Sequence, residues 1–329
     1  MNVLVTGGAG YIGSHVVEEL VKSGHKPVVY DNFSTGHASA VSEDVQLIEG
    51  DIHDMNFLKH VMGEYEIDAV MHFAASSLVG ESMENPGQYY YNNVAGSLGV
   101  LDAMRAAGVD MIIFSSTAAV YGEPDKCPIV EDTKLAPTNV YGRTKLIIEG
   151  MLSDYSLAYD LRYVSLRYFN AAGAAPQGNI GEDHNPESHL IPLVIKTAQG
   201  IHSSVSIFGT DYNTPDGTCI RDYIHVCDLA KAHVLALQHL YNGGSSKVYN
   251  LGSEQGFSVR EIISTVKKVT GKDFAVAEQG RRAGDPAILL ASSAKIKKEL
   301  KWEPQFSKIE DIVETAWRWH SSHPKGYLE

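Results

Sequence analysis

The sequence predicts an α/β protein built on a doubly wound parallel sheet, with a smaller C-terminal α/β domain. Three observations carry that prediction. Strand-length apolar runs alternate with helical periodicity through the first 170 residues. The first run, Val3-Leu4-Val5, passes directly into a turn with Gly7, Gly10 and Gly13 at three-residue spacing. The polar residues of chemical interest fall where strands end, along what would be the carboxyl edge of the sheet.

Taken in order, Val3 to Val5 form the first strand, and a helix runs from His15 to Lys22 on apolar Val16, Val17, Leu20 and Val21. Gly24 suits its C-terminal stop. The three glycines permit a tight turn, close backbone approach to a pyrophosphate and close helix packing. The helix N-terminus offers free N–H groups to an anion. A second strand, Pro27 to Tyr30, ends in Asp31, 18 residues after Gly13. A carboxylate there accepts hydrogen bonds from a ribose and repels a 2′-phosphate, which favours NAD over NADP.

Asn32 to His37 form a polar loop suited to a ribose and adenine. Val45 to Glu49 are the third strand, and Asp51 after it either binds an adenine amino group or serves as a turn or cap residue. Asp54 caps the next helix. Ala69 to Ala75 form the fourth strand, with small residues at its end. One long helix is expected over residues 86–107, with Pro86 in its first turn and Asn92 and Asn93 inside it. Asparagine is mildly unfavourable within a helix, so a further role is expected there. Met111 to Phe114 are the fifth strand, leading into Ser115-Ser116-Thr117.

After a proline-bearing loop, a helix from Val140 carries Tyr141 and Lys145 at i and i+4, on one face. An ammonium beside a phenol favours phenolate, and a hydroxyl from Thr117 or Ser116 could orient a substrate. Tyr163 to Tyr168 form the sixth strand. Beyond Asn170 the chain turns rich in Gly, Pro and Asn. The predicted division is therefore a dinucleotide-binding domain over residues 1–170 and a substrate domain over 171–329, with some interleaving.

In the second half, His189 opens a helix to about Gln199, and residues 206–208 form a strand. Asp228 caps a helix to about Leu240, and residues 248–252 form a strand. Ser258 caps a helix to Thr270, and residues 274–277 form a strand. The last helix starts at Ser307 or Asp311. Arg221, Arg281 and Arg282 are cations suited to bidentate contact with a nucleotide diphosphate.

Composition bounds the function. The 329 residues carry a formal charge of −13, which argues against nucleic acid and anionic membrane surfaces. Cys127, Cys219 and Cys227 lack ligand spacing and read as reduced thiols. The 14 histidines show no metal-binding spacing and read as loop and surface residues, so no metal is expected. No apolar run is long enough to span a membrane, and the chain enters its first strand without a basic leader. A cytoplasmic location is expected.

At this point a family resemblance emerges. The stretches Thr6 to His15, Asp31-Asn32, Gly50-Asp51, His72-Phe73-Ala74, Phe114 to Thr117, Tyr121-Gly122 and Tyr141 with Lys145 mark the extended short-chain dehydrogenase/reductase superfamily. Arg167 to Asn170, Gly181-Glu182-Asp183, Ile207 to Gly209, Arg221 to Val226, Tyr249 to Gly252 and Arg281 to Asp285 are more specific. Together they closely resemble the UDP-glucose (UDP-galactose) 4-epimerase family, nearly end to end.

The resemblance implies a Rossmann fold with a tightly held NAD. It implies inversion at C4 of a UDP-hexose through a 4-keto sugar, in a cytoplasmic homodimer. It places Gly7, Gly10, Tyr11, Ile12, Gly13, Asp31, Asn32, Ser34, Thr35, Gly36, Asp51, Ile52, Phe73, Ala74, Ala75, Ser77, Asn92, Ser115 and Phe169 around the cofactor. Tyr141 is implied as the base, Lys145 as its tuner and the holder of the nicotinamide ribose, and Thr117 as a substrate contact. Asn170, His189, Leu190, Arg221, Arg282, Asp285 and Leu289 are implied around the sugar nucleotide.

The sequence also departs from the family. Ala75-Ser76-Ser77 replaces a common Gly-Leu-Lys, which removes a lysine from the pyrophosphate. Ser188-His189-Leu190 replaces Asn-Asn-Leu. Leu289 stands where some members have tyrosine, so N-acetylated sugars are a further expectation. Ala118-Ala119 follow Thr117, where dehydrating or decarboxylating relatives have acids. The alternatives are an epimerase of another UDP-sugar (an N-acetylhexosamine, uronate or pentose), a non-catalytic NAD-binding regulator, and a simple alcohol dehydrogenase.

Overall fold

The computed structural model describes residues 1–282 and 285–327. Its first half alternates strand and helix: β1 (Asn2–Thr6), α1 (Tyr11–Lys22), β2 (Lys26–Asp31), β3 (Gln46–Glu49), α2 (Met55–Glu64) and β4 (Ala69–His72). Then come α3 (Val79–Glu84), α4 (Pro86–Tyr89), a π-helical turn (Tyr90–Ala95), α5 (Gly96–Ala107), β5 (Met111–Thr117), α6 (Val140–Tyr159) and β6 (Arg162–Tyr168).

The second half comprises β7 (Asn170–Ala172), α7 (Leu190–Ala198), β8 (Ser204–Phe208), β9 (Ile220–His225), α8 (Val226–Tyr241) and β10 (Lys247–Leu251). It continues with β11 (Gly256–Ser258), α9 (Val259–Thr270), β12 (Ala275–Gln279), β13 (Ile288–Leu289), α10 (Ala294–Leu300) and α11 (Ile309–Ser322).

Seven parallel strands form the main sheet in the order β10-β6-β5-β4-β1-β2-β3. The outward steps from β1 in both directions create the crevice at the carboxyl ends of β1 and β4. The central strands are covered on both faces, so Val3, Leu4 and Val5 are fully buried. Each buried aliphatic of this kind contributes roughly 1.5–3 kcal/mol. One face packs Val16, Val17 and Leu20 of α1 and Leu229 and Leu237 of α8. The other packs Leu58 and Val61 of α2, Val100 and Leu101 of α5, and Ile148 and Leu152 of α6.

The second half divides its elements. β10 pairs with β6, Tyr249 opposite Leu166, and so completes the first half's sheet. A smaller layer forms around β9, which pairs with β7, β11 and β13. There α7, α9 and α11 pack through Val194, Ile262, Val266, Ile312 and Val313.

Some expected boundaries differ. α1 begins at Tyr11, not His15, because Gly10 supplies the extended N-cap backbone. β4 ends at His72, leaving residues 73–75 irregular. The single helix over 86–107 is interrupted by the π-helical turn that contains Asn92 and Asn93. α8 is capped by His225, whose ring accepts the Cys227 N–H. Asp228 lies in its first turn and accepts the N–H groups of Gln305 and Phe306. α11 starts at Ile309, with Lys308 at its cap.

The histidines also differ from expectation: His15, His72, His225 and His233 are buried. His72 bridges Thr6 at 2.6 Å and Ser97 at 2.8 Å. Burial lowers its pKa to about 3, so it serves as a neutral core linker.

Candidate active site

The glycine-rich turn is set by close approach. Gly7 has φ +73°, and a Cβ there would lie 2.5 Å from the Ala74 nitrogen. A Cβ at Gly13 would lie 2.2 Å from the Gly7 oxygen. Gly10 is different: its Cβ would meet only the Gly7 oxygen, at 3.4 Å. Open space therefore adjoins Gly10 at the uncapped N-terminus of α1, where no side chain takes the first N–H groups. A pyrophosphate fits that cradle.

Asp31 is buried at the end of β2 and accepts the N–H groups of Ala9 and Phe33, each at 2.9 Å. Burial raises its carboxyl pKa, partly opposed by those bonds. It therefore braces the turn from the strand end where the sequence reading expects a ribose. Gly36 packs against Ala9. Asn32 donates to Asp51 at 3.0 Å and accepts the Ser34 N–H at 3.1 Å, while Thr35 is exposed. Ile52 is buried against Gly96.

The loop after β4 is held from the π-helical turn. Asn93, fully buried, accepts the Ser76 N–H at 2.8 Å and donates to the Ser76 oxygen and to Thr144. Asn92 donates to the Ser76 hydroxyl at 3.1 Å. Ser77 stays exposed. The loop that lacks a lysine is thus fixed by amide clamping. Phe73 packs on His233, with ring centroids 4.8 Å apart.

Asn139 caps α6 by accepting the Gly142 N–H at 2.7 Å, which places Tyr141 in the first turn. Burial pushes the Tyr141 phenol's pKa up to about 12, partly opposed by the Thr117 side chain at the end of β5. Lys145, 3 % exposed, donates to the Ser115 carbonyl at 2.8 Å, and burial pulls its pKa down to about 7. Its Nζ lies 5.9 Å from the Tyr141 ring centroid and 4.9 Å from that of Phe114. Desolvation dominates both groups, and it weakens the ammonium as it raises the phenol.

Behind this pair lies a buried polar network that the sequence reading left without a role. Glu149 accepts Ser116 at 2.5 Å and Arg167 through both carboxylate oxygens. Arg167 also donates to the Tyr121 hydroxyl, which donates to Asn250 at 2.6 Å. The available signals were an arginine inside an apolar strand and Glu149 one turn past Lys145. The network fixes Ser116, the neighbour of Thr117, through Glu149, which Arg167 in turn holds by both carboxylate oxygens.

A cavity of about 590 Å³ opens in the second half. Asn170, His189, Leu190, Arg221, Arg282 and Asp285 line it, together with Glu182, Phe208 and Tyr223. Asn170 donates to the Asp222 carbonyl at 2.8 Å. Arg221 pairs with Asp285 at 2.6 Å, and the Arg282 guanidinium lies 3.9 Å over the Phe208 ring. Arg281 turns aside to Asp211 at 2.7 Å. Ala283 and Gly284, of the same motif, lie outside the described residues. Leu289 is not in the cavity lining; it packs with Phe169 against Val120, Tyr121 and Ile129. Thr117 and Tyr141 also lie outside that lining, at the end of the main sheet, and the chain step Phe169-Asn170 connects the two regions.

A helix-borne Tyr/Lys pair at the carboxyl edge of a parallel sheet, with a glycine cradle on the same edge, defines a class: the extended short-chain dehydrogenase/reductases. Residues 3–252 match the NAD dependent epimerase/dehydratase family. The chain belongs to that family, and within it to the UDP-glucose 4-epimerases. It is 54 % identical over 327 residues to the UDP-glucose 4-epimerase of Halalkalibacterium halodurans, covering 99 % of this chain and 98 % of that one. A crystal structure of a UDP-glucose 4-epimerase superposes with TM-score 0.98 at 55 % identity, covering all of both chains. The Brucella ovis UDP-glucose 4-epimerase in complex with NAD superposes with TM-score 0.94 at 51 % identity, covering 97 % of this chain and 98 % of that one.

Proposed function

We infer that the protein is an NAD-dependent UDP-glucose/UDP-galactose 4-epimerase. The observation that carries this reading is the buried Lys145, one turn past Tyr141 and anchored on the Ser115 carbonyl at the carboxyl edge of the sheet. The full-length similarity to enzymes of that name supports it. NAD, when bound, supplies a hydride acceptor for C4 and a positive charge near the phenol.

The protein's own groups do the rest. Tyr141 takes the proton of the sugar 4-hydroxyl and later returns it. Thr117 orients that hydroxyl and shares the proton path. Lys145, anchored on Ser115, holds the nicotinamide ribose. Arg221 and Arg282 bind the diphosphate, so the sugar can present either face while the nucleotide stays anchored. Residues 1–170 together with β10 and α8 serve the cofactor, and the remainder of 171–329 serves the UDP-sugar.

Among the described residues no helix is long and apolar enough to cross a membrane. A cytoplasmic homodimer is part of the reading. It is supported by exposed apolar side chains on α5 and α6, among them Leu98, Ile147 and Leu157.

The test is incubation of the purified protein with UDP-galactose and no added cofactor. UDP-glucose should accumulate to equilibrium. NADH release with added NAD, or no conversion, would replace this reading with the dehydrogenase or the silent regulator. Leu289, which packs on the same apolar cluster as Phe169 and stands where some relatives have tyrosine, favours a second substrate class, the UDP-N-acetylhexosamines.

A further inference from the structure

The segment 181–189 brings four metal-type donors together without any sequence spacing that announces them. Glu182, His184, Glu187 and His189 each present one atom, and these atoms all lie within 4.8 Å of one another. The Glu182 Oε1 is 2.8 Å from His189 Nδ1 and 3.1 Å from His184 Nδ1. The Glu187 Oε1 is 3.0 Å from His189 Nδ1. The carboxylates are nearly enclosed, with both glutamate side chains 4 % exposed.

A second observation is independent of the clustering. The other Glu187 oxygen, Oε2, is buried and has no hydrogen-bond partner. An unsatisfied buried carboxylate oxygen is costly, and it calls for a donor or a cation.

The segment is held in place by its surroundings. The Trp319 indole donates to the Glu182 carbonyl at 3.1 Å, and the Tyr327 hydroxyl accepts the Gly181 N–H at 3.0 Å. The His184 ring meets the Tyr11 ring edge-on, with centroids 6.1 Å apart. Glu182 and His189 line the substrate cavity, and His184 and Glu187 line a second cleft that shares Leu193 and His202 with it.

We propose that Glu182, His184, Glu187 and His189 form a binding site for a divalent transition-metal ion between the substrate cavity and the glycine-rich turn. Two imidazole nitrogens and two carboxylates are the donor set of borderline ions such as Zn²⁺ and Co²⁺. Donors around such an ion, at ~2.0–2.2 Å from it, stand roughly 3.3 Å apart. Accommodation needs the present 2.8–3.1 Å contacts to open by a few tenths of an ångström and donor pairs up to 4.8 Å apart to draw in around the ion. The ion takes the place of the protons now bridging nitrogen and oxygen. Two carboxylates then balance its charge, and the idle Glu187 oxygen gains a partner. The ion would clip the substrate loop to the cofactor turn through the His184–Tyr11 contact.

The test uses the full chain, treated with chelator, dialysed and titrated with Zn²⁺ and separately with Co²⁺. One ion per chain should bind, with a Kd of about 1 µM or tighter. The Co²⁺ form should show the visible bands of a four- or five-coordinate site with imidazole ligands. Glu187→Gln and His184→Asn should each weaken binding by roughly tenfold or more, with circular dichroism unchanged. His60→Asn, which removes a surface histidine paired with Glu64 at 3.2 Å, should leave binding intact.

Binding too weak to saturate at about 100 µM would overturn the proposal. So would a Co²⁺ spectrum of an all-oxygen octahedral ion, or affinity retained in the folded Glu187→Gln/His184→Asn double variant. The wild-type spectrum decides the matter alone if the variants do not fold.

Discussion

At the glycine-rich turn, the groups that meet are close in the chain or belong to adjacent strands. Gly7, Gly10 and Gly13 shape the turn, and Asp31, from the next strand, ties down Ala9. Around the 590 Å³ cavity the reverse holds. Asn170, His189, Arg221 and Arg282 come from four separate segments, brought together by the pairing of β9 with β7 and β13. The first region is specified by backbone geometry that forbids a Cβ. The second is specified by side chains on a scaffold that has room for others. Cofactor chemistry should therefore be sensitive to small changes, and substrate choice should be adjustable.

The largest test is at the reacting groups. Tyr141→Phe keeps the ring and removes only the buried hydroxyl. Turnover of UDP-galactose should fall roughly 10²–10⁴-fold, the usual contribution of a positioned proton-transfer group. Bound nucleotide, measured by absorbance after denaturation, should remain. A variant as fast as the parent would remove Tyr141 from the mechanism.

Next come two alanine substitutions three residues apart. At Gly13 the new Cβ meets a backbone oxygen at 2.2 Å, so the turn must move. Overpacking typically costs ~1–3 kcal/mol, and the thermal midpoint should drop. At Gly10 the nearest atom is at 3.4 Å, so the fold should stand while the methyl intrudes on the pyrophosphate. Nucleotide content should then fall without loss of stability. Equal destabilisation by both would erase the distinction between a packing glycine and a binding glycine.

These glycines, Asp31 and the Tyr141/Lys145 pair were readable because strand, turn and helix follow one another in sequence. The π-helical turn was visible only as two misplaced asparagines. Its partner Ser76 lies 17 residues before Asn93, and no local propensity encodes that contact. The strand β10 illustrates the same limit. Residues 247–251 read as a strand, but only the fold shows that they pair with β6 in the first sheet. The Glu/His cluster escaped because its donors are spaced irregularly along a loop, so no helical or strand period aligns them. For Tyr141 and Lys145 the spacing gives proximity, but the burial that acts on both groups comes from the packing around them.

On the substrate side, Arg221→Lys keeps the charge and loses the planar fork now engaged with Asp285 at 2.6 Å. The KM for UDP-galactose should rise about tenfold, with a smaller change in kcat, because diphosphate binding is shared by ground and transition states. A fall in kcat with KM unchanged would move Arg221 from anchoring to the chemical step.

The smallest effect should come from Leu289, which touches the apolar cluster of Val120, Tyr121 and Ile129 beside Phe169. It sits on β13 directly opposite Arg221 of β9, so its position is fixed by the strand that carries Arg221. Leu289→Tyr adds bulk at that apolar cluster, without touching a glycine, the cradle or the proton-transfer pair. An added ring should exclude an N-acetyl group more than a hydroxyl, lowering the UDP-GlcNAc to UDP-galactose turnover ratio by roughly fivefold. NAD content and stability should not change, because no backbone approach depends on this side chain. If the ratio held while overall turnover collapsed, residue 289 would belong with the close-packed cofactor end, and the substrate side would be as intolerant as the turn.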